Sequence, residues 1–190
     1  MSGPDTRARD DDGGTGYTGL AFRQCHPDHA SVAETIRLGA AFPSRFTPPG
    51  GRFGVLYVAL TPETAVAELH RRAEQLGVPV SALAPRTMLT LAVRLRRVLD
   101  LTDPTVRADW GLDAAALGAD DHARCQEVAL AARADGYEAI RYPSAARAHP
   151  GDALAPDAAA EDNLAIFADR LHPGSDVRVV RHEPLVLDAV

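Results

Sequence analysis

The chain has 190 residues, 46% of them hydrophobic and 5% aromatic, enough apolar side chain for one self-supporting domain. Its net charge of −6 argues against a protein whose main partner is a nucleic-acid backbone. No apolar run reaches the ~20 residues that span a bilayer; Cys25 and Cys125 form no CxxC unit and follow no secretory leader, so a soluble protein of a reducing cytoplasm is expected.

In chain order, residues 1–19 are rich in Gly, Asp, Thr and Arg and read as a disordered tail, with the folded domain over 20–190. Leu20 to Arg23 reads as a short strand. Cys25-His26 with His29 is half a metal site without partners at a recognisable spacing, so no metal is expected. Ser31, with Glu34 three residues on, signals the start of a helix to Leu38. The Pro/Gly loop AFPSRFTPPGGRFG follows, and then VLYVAL, Val55 to Leu60, a continuous apolar run that predicts a strand buried on both faces.

Thr61-Pro62-Glu63 is a compact helix start, and Gly77 its stop. On that helix Ala65, Val66, Leu69, Ala73 and Leu76 share an apolar stripe, with Glu68 just beyond its edge. Met88 to Val93 predicts a strand that runs on through RLRRVLDL to a turn at Asp103-Pro104, with Arg94, Arg96 and Arg97 solvated. Asp120 or Asp121 caps a second helix through Cys125, Val128, Ala129 and Ala132 to Gly136. Tyr137 to Tyr142, Asn163 to Phe167 and Val177 to Arg181 complete about six strands. Neither GxGxxG nor a Walker loop is present, and no Gly-x-Ser-x-Gly elbow marks a serine hydrolase.

Taken in order, Phe22-Arg23, Arg45-Phe46-Thr47-Pro48-Pro49-Gly50, Leu56-Tyr57, Thr64-Ala65-Val66-Ala67-Glu68, Tyr142-Pro143-Ser144 and Asn163-Leu164 resemble the RES domain family. These are the toxins of bacterial RES–Xre toxin–antitoxin pairs. The resemblance implies a single compact α+β domain similar to ADP-ribosyltransferases, with central mixed or antiparallel strands and flanking helices. It also implies an enzyme that cleaves the nicotinamide–ribose bond of NAD+ by phosphorolysis or hydrolysis, arresting growth. The partner implied is an Xre-like DNA-binding antitoxin; NAD+ is substrate, inorganic phosphate an optional co-substrate, and no other cofactor, nucleic acid or membrane is called for. Protein mono-ADP-ribosylation and a non-catalytic binding homologue are the alternatives, and a homodimer is permitted.

The chemistry explains why these residue types are wanted. Loss of neutral nicotinamide leaves positive charge on the ribose, which a carboxylate stabilises, and Glu68 is the candidate. A pyrophosphate needs planar bidentate donors, and Arg23 and Arg45 can supply them. The Tyr57 ring can pack on nicotinamide or ribose while its hydroxyl makes a hydrogen bond, or be a core tyrosine. Ser144 can orient a ribose, a phosphate or the acceptor, or be a turn serine, and Asn163 can tie the last loop to its strand. Arg52 is either a phosphate contact or solvated. Where many members carry asparagine after the RF pair, Thr47 keeps a hydrogen-bonding group without the paired amide. The Pro/Ala-rich stretch 145–162 reads as a lid or a partner surface.

Overall fold

The computed structural model describes residues 15–50, 53–145 and 162–187. Two long strands carry the sheet: β1 (Thr15–Cys25) and β3 (Arg86–Asp100) pair antiparallel from Thr15↔Val98 to Cys25↔Thr87. β1 therefore starts at Thr15, ahead of Leu20, because its register along β3, more than its own apolar content, defines it. Tyr17 supplies local support: it is buried, and its hydroxyl donates to the Leu20 carbonyl at 2.8 Å. The basic run that follows Val93 stays within β3; Arg94 and Arg96 are exposed as expected, whereas the Arg97 guanidinium lies 4.7 Å from the centre of the Tyr137 ring.

Four shorter strands complete a mixed sheet: β2 (Leu56–Ala59), β4 (Ala139–Pro143), β5 (Asp162–Ile166) and β6 (Asp176–Leu185). The order is β1-β2-β5-β4-β3-β6, and the direct β1–β3 pairing closes the first five into a ring with β6 along β3. Every neighbouring pair is antiparallel except β3 and β4.

The continuous apolar runs follow from this arrangement, since the inner strands bury both faces. Leu56, Val58, Leu164 and Ile166 face one cluster with Ala21, Leu89, Leu91 and Val93. Val55, Ile140, Tyr142, Ala165 and Phe167 face the other, closed by Leu112, Leu117, Cys125, Val128 and Ala132. The second cluster is roofed by α3 (Pro104–Asp109), α4 (Ala114–Gly118) and α5 (Ala123–Ala134). Of these only α5 is prominent in the sequence; its N-cap is His122, and Asp121 instead accepts from the Ala123 amide at 3.0 Å.

Two further helices frame the Pro/Gly loop. α1 (Val32–Ala41) is capped by Ser31, which accepts from the Glu34 amide at 3.1 Å. α2 (Pro62–Leu76) is capped by Thr61 and ended by Gly77 at φ 65°, a left-handed turn that suits glycine. Its buried residues are Thr64, Ala65, Leu69 and Ala73, while Leu76 is 49% exposed: the stripe is covered over the first three turns only. Among the described residues, no helix is long and apolar enough to cross a membrane.

Candidate active site

β1 and β2 meet at one register pair, Phe22↔Ala59. The ladder does not continue to Arg23 and Gln24 on one side or Tyr57 and Val58 on the other, and a cavity of about 230 Å³ lined by those residues occupies the gap. α2 brings Ala65 and Glu68 to it, the Pro/Gly loop Ser44 and Arg45, β4 Tyr142 and β5 Asn163.

Glu68 is held through one oxygen. The Ser144 hydroxyl donates to its Oε1 at 2.7 Å and the Asn163 side-chain amide at 2.8 Å, whereas Oε2 has no hydrogen bond among the described residues. Ser144 lies at the end of β4 and Asn163 on β5, both buried, so two neighbouring strands fix a carboxylate carried by a helix. Ser144 itself does not line the cavity. Beside it the buried Arg141 donates from Nε to Asp162 Oδ2 at 2.8 Å, which ties the same two strands.

Tyr57 works on the loop. Its hydroxyl accepts from the Phe46 amide at 2.8 Å and from the Ser44 hydroxyl at 2.8 Å, and bonds the Thr47 hydroxyl at 3.0 Å. These bonds fall on both sides of Arg45, so Tyr57 sets where the arginine stands; its hydroxyl faces the loop where a ligand contact was expected. Thr47, in the place of the family's asparagine, is fully buried and completes this knot through Tyr57 and Ser44. From α5, the Gln126 side-chain amide donates to the Ser44 carbonyl at 3.0 Å. Downstream of the loop, a Cβ added at Gly54 would sit 2.2 Å from the Ile36 carbonyl oxygen, so only glycine lets this segment pass α1.

Arg23 donates from Nη1 to the Tyr57 carbonyl at 2.7 Å, a backbone group that the parted ladder leaves available. Burial lowers its pKa, partly offset by the Cys25 thiol and then by the phenols of Tyr57 and Tyr142. Among the described residues, three polar atoms of cavity-lining residues are sealed from solvent and have no hydrogen-bond partner: Arg23 Nε, Arg45 Nη1 and Gln24 Oε1. Orphans of this kind are costly in a folded protein unless something else meets them.

Sequence reasoning brought Arg23, Arg45, Tyr57, Glu68 and Asn163 to what proves to be one cavity. Arg52 lies outside the described residues, as do 146–161. Seven further residues line the cavity that were not predicted as site residues, Tyr142 and Gln24 among them. Tyr142 packs edge-on against Phe46 with ring centres 4.9 Å apart, and burial holds its phenol well above the ordinary tyrosine pKa, as it raises that of Tyr57. The signal for Gln24 was its place next to Arg23. Cys25, considered above as half a metal site, is buried in the β1–β3 cluster.

The RES domain matches residues 20–188 of the chain. No curated protein matches it. Among solved structures, a chain of the crystal structure of the M. tuberculosis MbcT–MbcA toxin–antitoxin complex superposes with a TM-score of 0.71 over 88% of this chain and 84% of that one, at 21% identity.

Proposed function

The chain belongs to the RES domain family, and from that premise we propose that it is the toxin of a toxin–antitoxin pair and acts by cleaving the nicotinamide–ribose bond of NAD+. One observation carries the reading: a carboxylate pinned through Oε1 by Ser144 and Asn163, with no hydrogen bond to Oε2 among the described residues, stands on the same small cavity as Arg23 and Arg45. The presence of the fold neighbour in a toxin–antitoxin complex supports the biological role.

In the step itself the bond between ribose C1′ and the pyridinium nitrogen breaks, and its electron pair leaves on nicotinamide, which departs neutral. The positive charge then spread over C1′ and the ring oxygen is met by the Glu68 carboxylate, while the guanidiniums of Arg23 and Arg45 hold the pyrophosphate. An oxygen of inorganic phosphate or of water closes on C1′ and releases one proton. Because Glu68 is already oriented, little reorganisation is needed as the charge develops.

Nicotinamide release from NAD+, followed with and without inorganic phosphate, tests the proposal: release that requires phosphate means phosphorolysis, and release without it hydrolysis. Glu68→Gln retains an Oε1 for Ser144 and Asn163 and loses only the charge, so turnover should fall by about 10²–10³-fold with the fold intact. Full turnover by that variant refutes the mechanism. Label from NAD+ appearing on protein at the rate of nicotinamide release would make the enzyme a transferase. Expression alone should arrest growth, and the neighbouring antitoxin gene should relieve it.

A further inference from the structure

Arg45 stands where three elements meet. From the Pro/Gly loop it lines the cavity together with Glu68 of α2. Arg71 follows Glu68 by three residues, so it lies on the same side of α2, one turn beyond the cavity lining. The third element is α5: its Gln126 donates to the Ser44 carbonyl, next to Arg45, and His122 at its N-cap precedes Gln126 by one turn. Arg45, Arg71 and His122 are all half-buried.

His122 feels both arginines. Its pKa is lowered first by burial and then by the Arg45 guanidinium, with Arg71 adding to the effect and Asp120 and Asp121 opposing it. Held below its ordinary value of about 6.5, the imidazole is neutral at pH 7 and has one ring N–H to donate. Neither acid closes the cluster: Asp121 accepts from the Ala123 amide at 3.0 Å, and Asp120 is exposed. Among the described residues, the two guanidiniums form no ion pair or hydrogen bond, and the His122 ring does not cap its helix. Two like charges beside one imidazole repel, and an anion set between them replaces that repulsion with attraction.

The cavity itself, at about 230 Å³, is smaller than the ~300–1,000 Å³ of pockets that enclose drug-sized ligands, so it takes one end of a dinucleotide and the rest extends past its mouth. We propose that Arg71 and His122, with Arg45, form a phosphate-binding subsite beside the cavity. It takes a phosphoryl group of the dinucleotide or the inorganic phosphate that closes on C1′. Arg71 contributes a planar pair of donors and His122 a single one, while Arg45 joins the subsite to the cavity. That the bound phosphate takes part in a reaction rests on the proposed NAD+ chemistry; the binding itself does not.

Melting temperatures with ADP, with inorganic phosphate and with sodium chloride at equal ionic strength test binding without turnover. At least one of the two phosphates should raise the wild-type Tm above the chloride control. Arg71→Gln keeps a helix-forming side chain without the charge and should abolish the rise, and Arg71→Lys, a point charge in place of the fork, should restore part of it. Turnover tells the sources apart. Arg71→Gln should raise KM about tenfold, roughly one lost hydrogen bond to a charged group, for NAD+ if the dinucleotide is held and for inorganic phosphate if the acceptor is. His122→Asn keeps a good N-cap and should raise the same KM about fivefold. A wild-type Tm that neither phosphate raises, an equal rise in Arg71→Gln, or an active Arg71→Gln enzyme with neither KM changed overturns the subsite and leaves NAD+ cleavage standing. Arg71-dependent stabilisation of a protein that cleaves no NAD+ overturns the chemistry and leaves the subsite.

Discussion

At the residue scale, the site consists of one carboxylate and a set of groups that decide where it and its arginines stand. Glu68 takes two hydrogen bonds on Oε1; removing either loosens the hold on the carboxylate. Ser144→Ala should therefore lower kcat about tenfold, roughly one lost hydrogen bond to a charged group, with KM nearly unchanged, as expected of a positioning residue. A rise in KM at constant kcat would instead place Ser144 on the ligand. Tyr57→Phe strips the hydroxyl that serves Ser44, Phe46 and Thr47, leaving buried donors unpaired at a cost of about 1–3 kcal/mol. Its Tm should fall by about 2–4 °C for each of these, and loosened placement of Arg45 should raise KM. The phenols of Tyr57 and Tyr142 are both raised by burial, so they stay protonated up to and beyond the ordinary tyrosine value of about 10. The rate profile should accordingly show no limb from either below pH 10.

At the element scale, charged side chains tie strands and helices together away from the cavity lining. Glu138 is fully buried, its Oε2 accepting from the Arg96 amide at 2.5 Å and the Arg97 amide at 2.9 Å, and its Oε1 from the His172 amide at 2.6 Å. Burial by itself would raise its pKa; the amides of His172, Arg97 and Arg96 outweigh that and hold it below the ordinary value. A carboxyl depressed in the folded state stabilises fully above its unfolded pKa of about 4.3, and the contribution is lost as pH falls through the lower folded value. Glu138→Gln should thus destabilise at neutral pH and flatten the acid side of the stability profile, as denaturant titrations would record. Arg133 joins α5 to the residues after β5, with bonds of 2.6 and 2.9 Å to Asp169 and its guanidinium 4.1 Å from the Phe53 ring centre. Helix α2 was legible from Thr61 to Gly77 because its caps and its stripe are local signals. α3 and α4 were not, because six and five residues leave too little periodicity to read.

At the scale of the whole molecule, five strands close into a ring whose seam is a single pair, Phe22↔Ala59. Sheet amides at a seam with few partners open more readily than those in the long β1–β3 ladder. In hydrogen exchange, those amides of residues 22–24 and 57–59 that face the seam, and not β3 or β5, should lose protection before the β3 centre near Leu91, and bound NAD+ should slow them selectively. Uniform protection across the ring, or no change with NAD+, would contradict this account of the cavity. The same parting makes Arg23 useful: its Nη1 bonds a Tyr57 carbonyl that a continued ladder would have claimed.

What the sequence determined by itself is whatever lies within a few residues: the Ser31 and Thr61 caps, the Gly77 stop, the doubly buried strand of VLYVAL, and the ordered motifs that carried the family resemblance and brought five residues to one cavity. Tertiary structure alone decided how those residues divide the work. Ser144 and Asn163 reach Glu68 across 76 and 95 positions of chain, and the cavity lies where β1 and β2 separate after one pair. Propensity and spacing act through neighbouring backbone, whereas these contacts depend on how the sheet closes, a property of all its strands together.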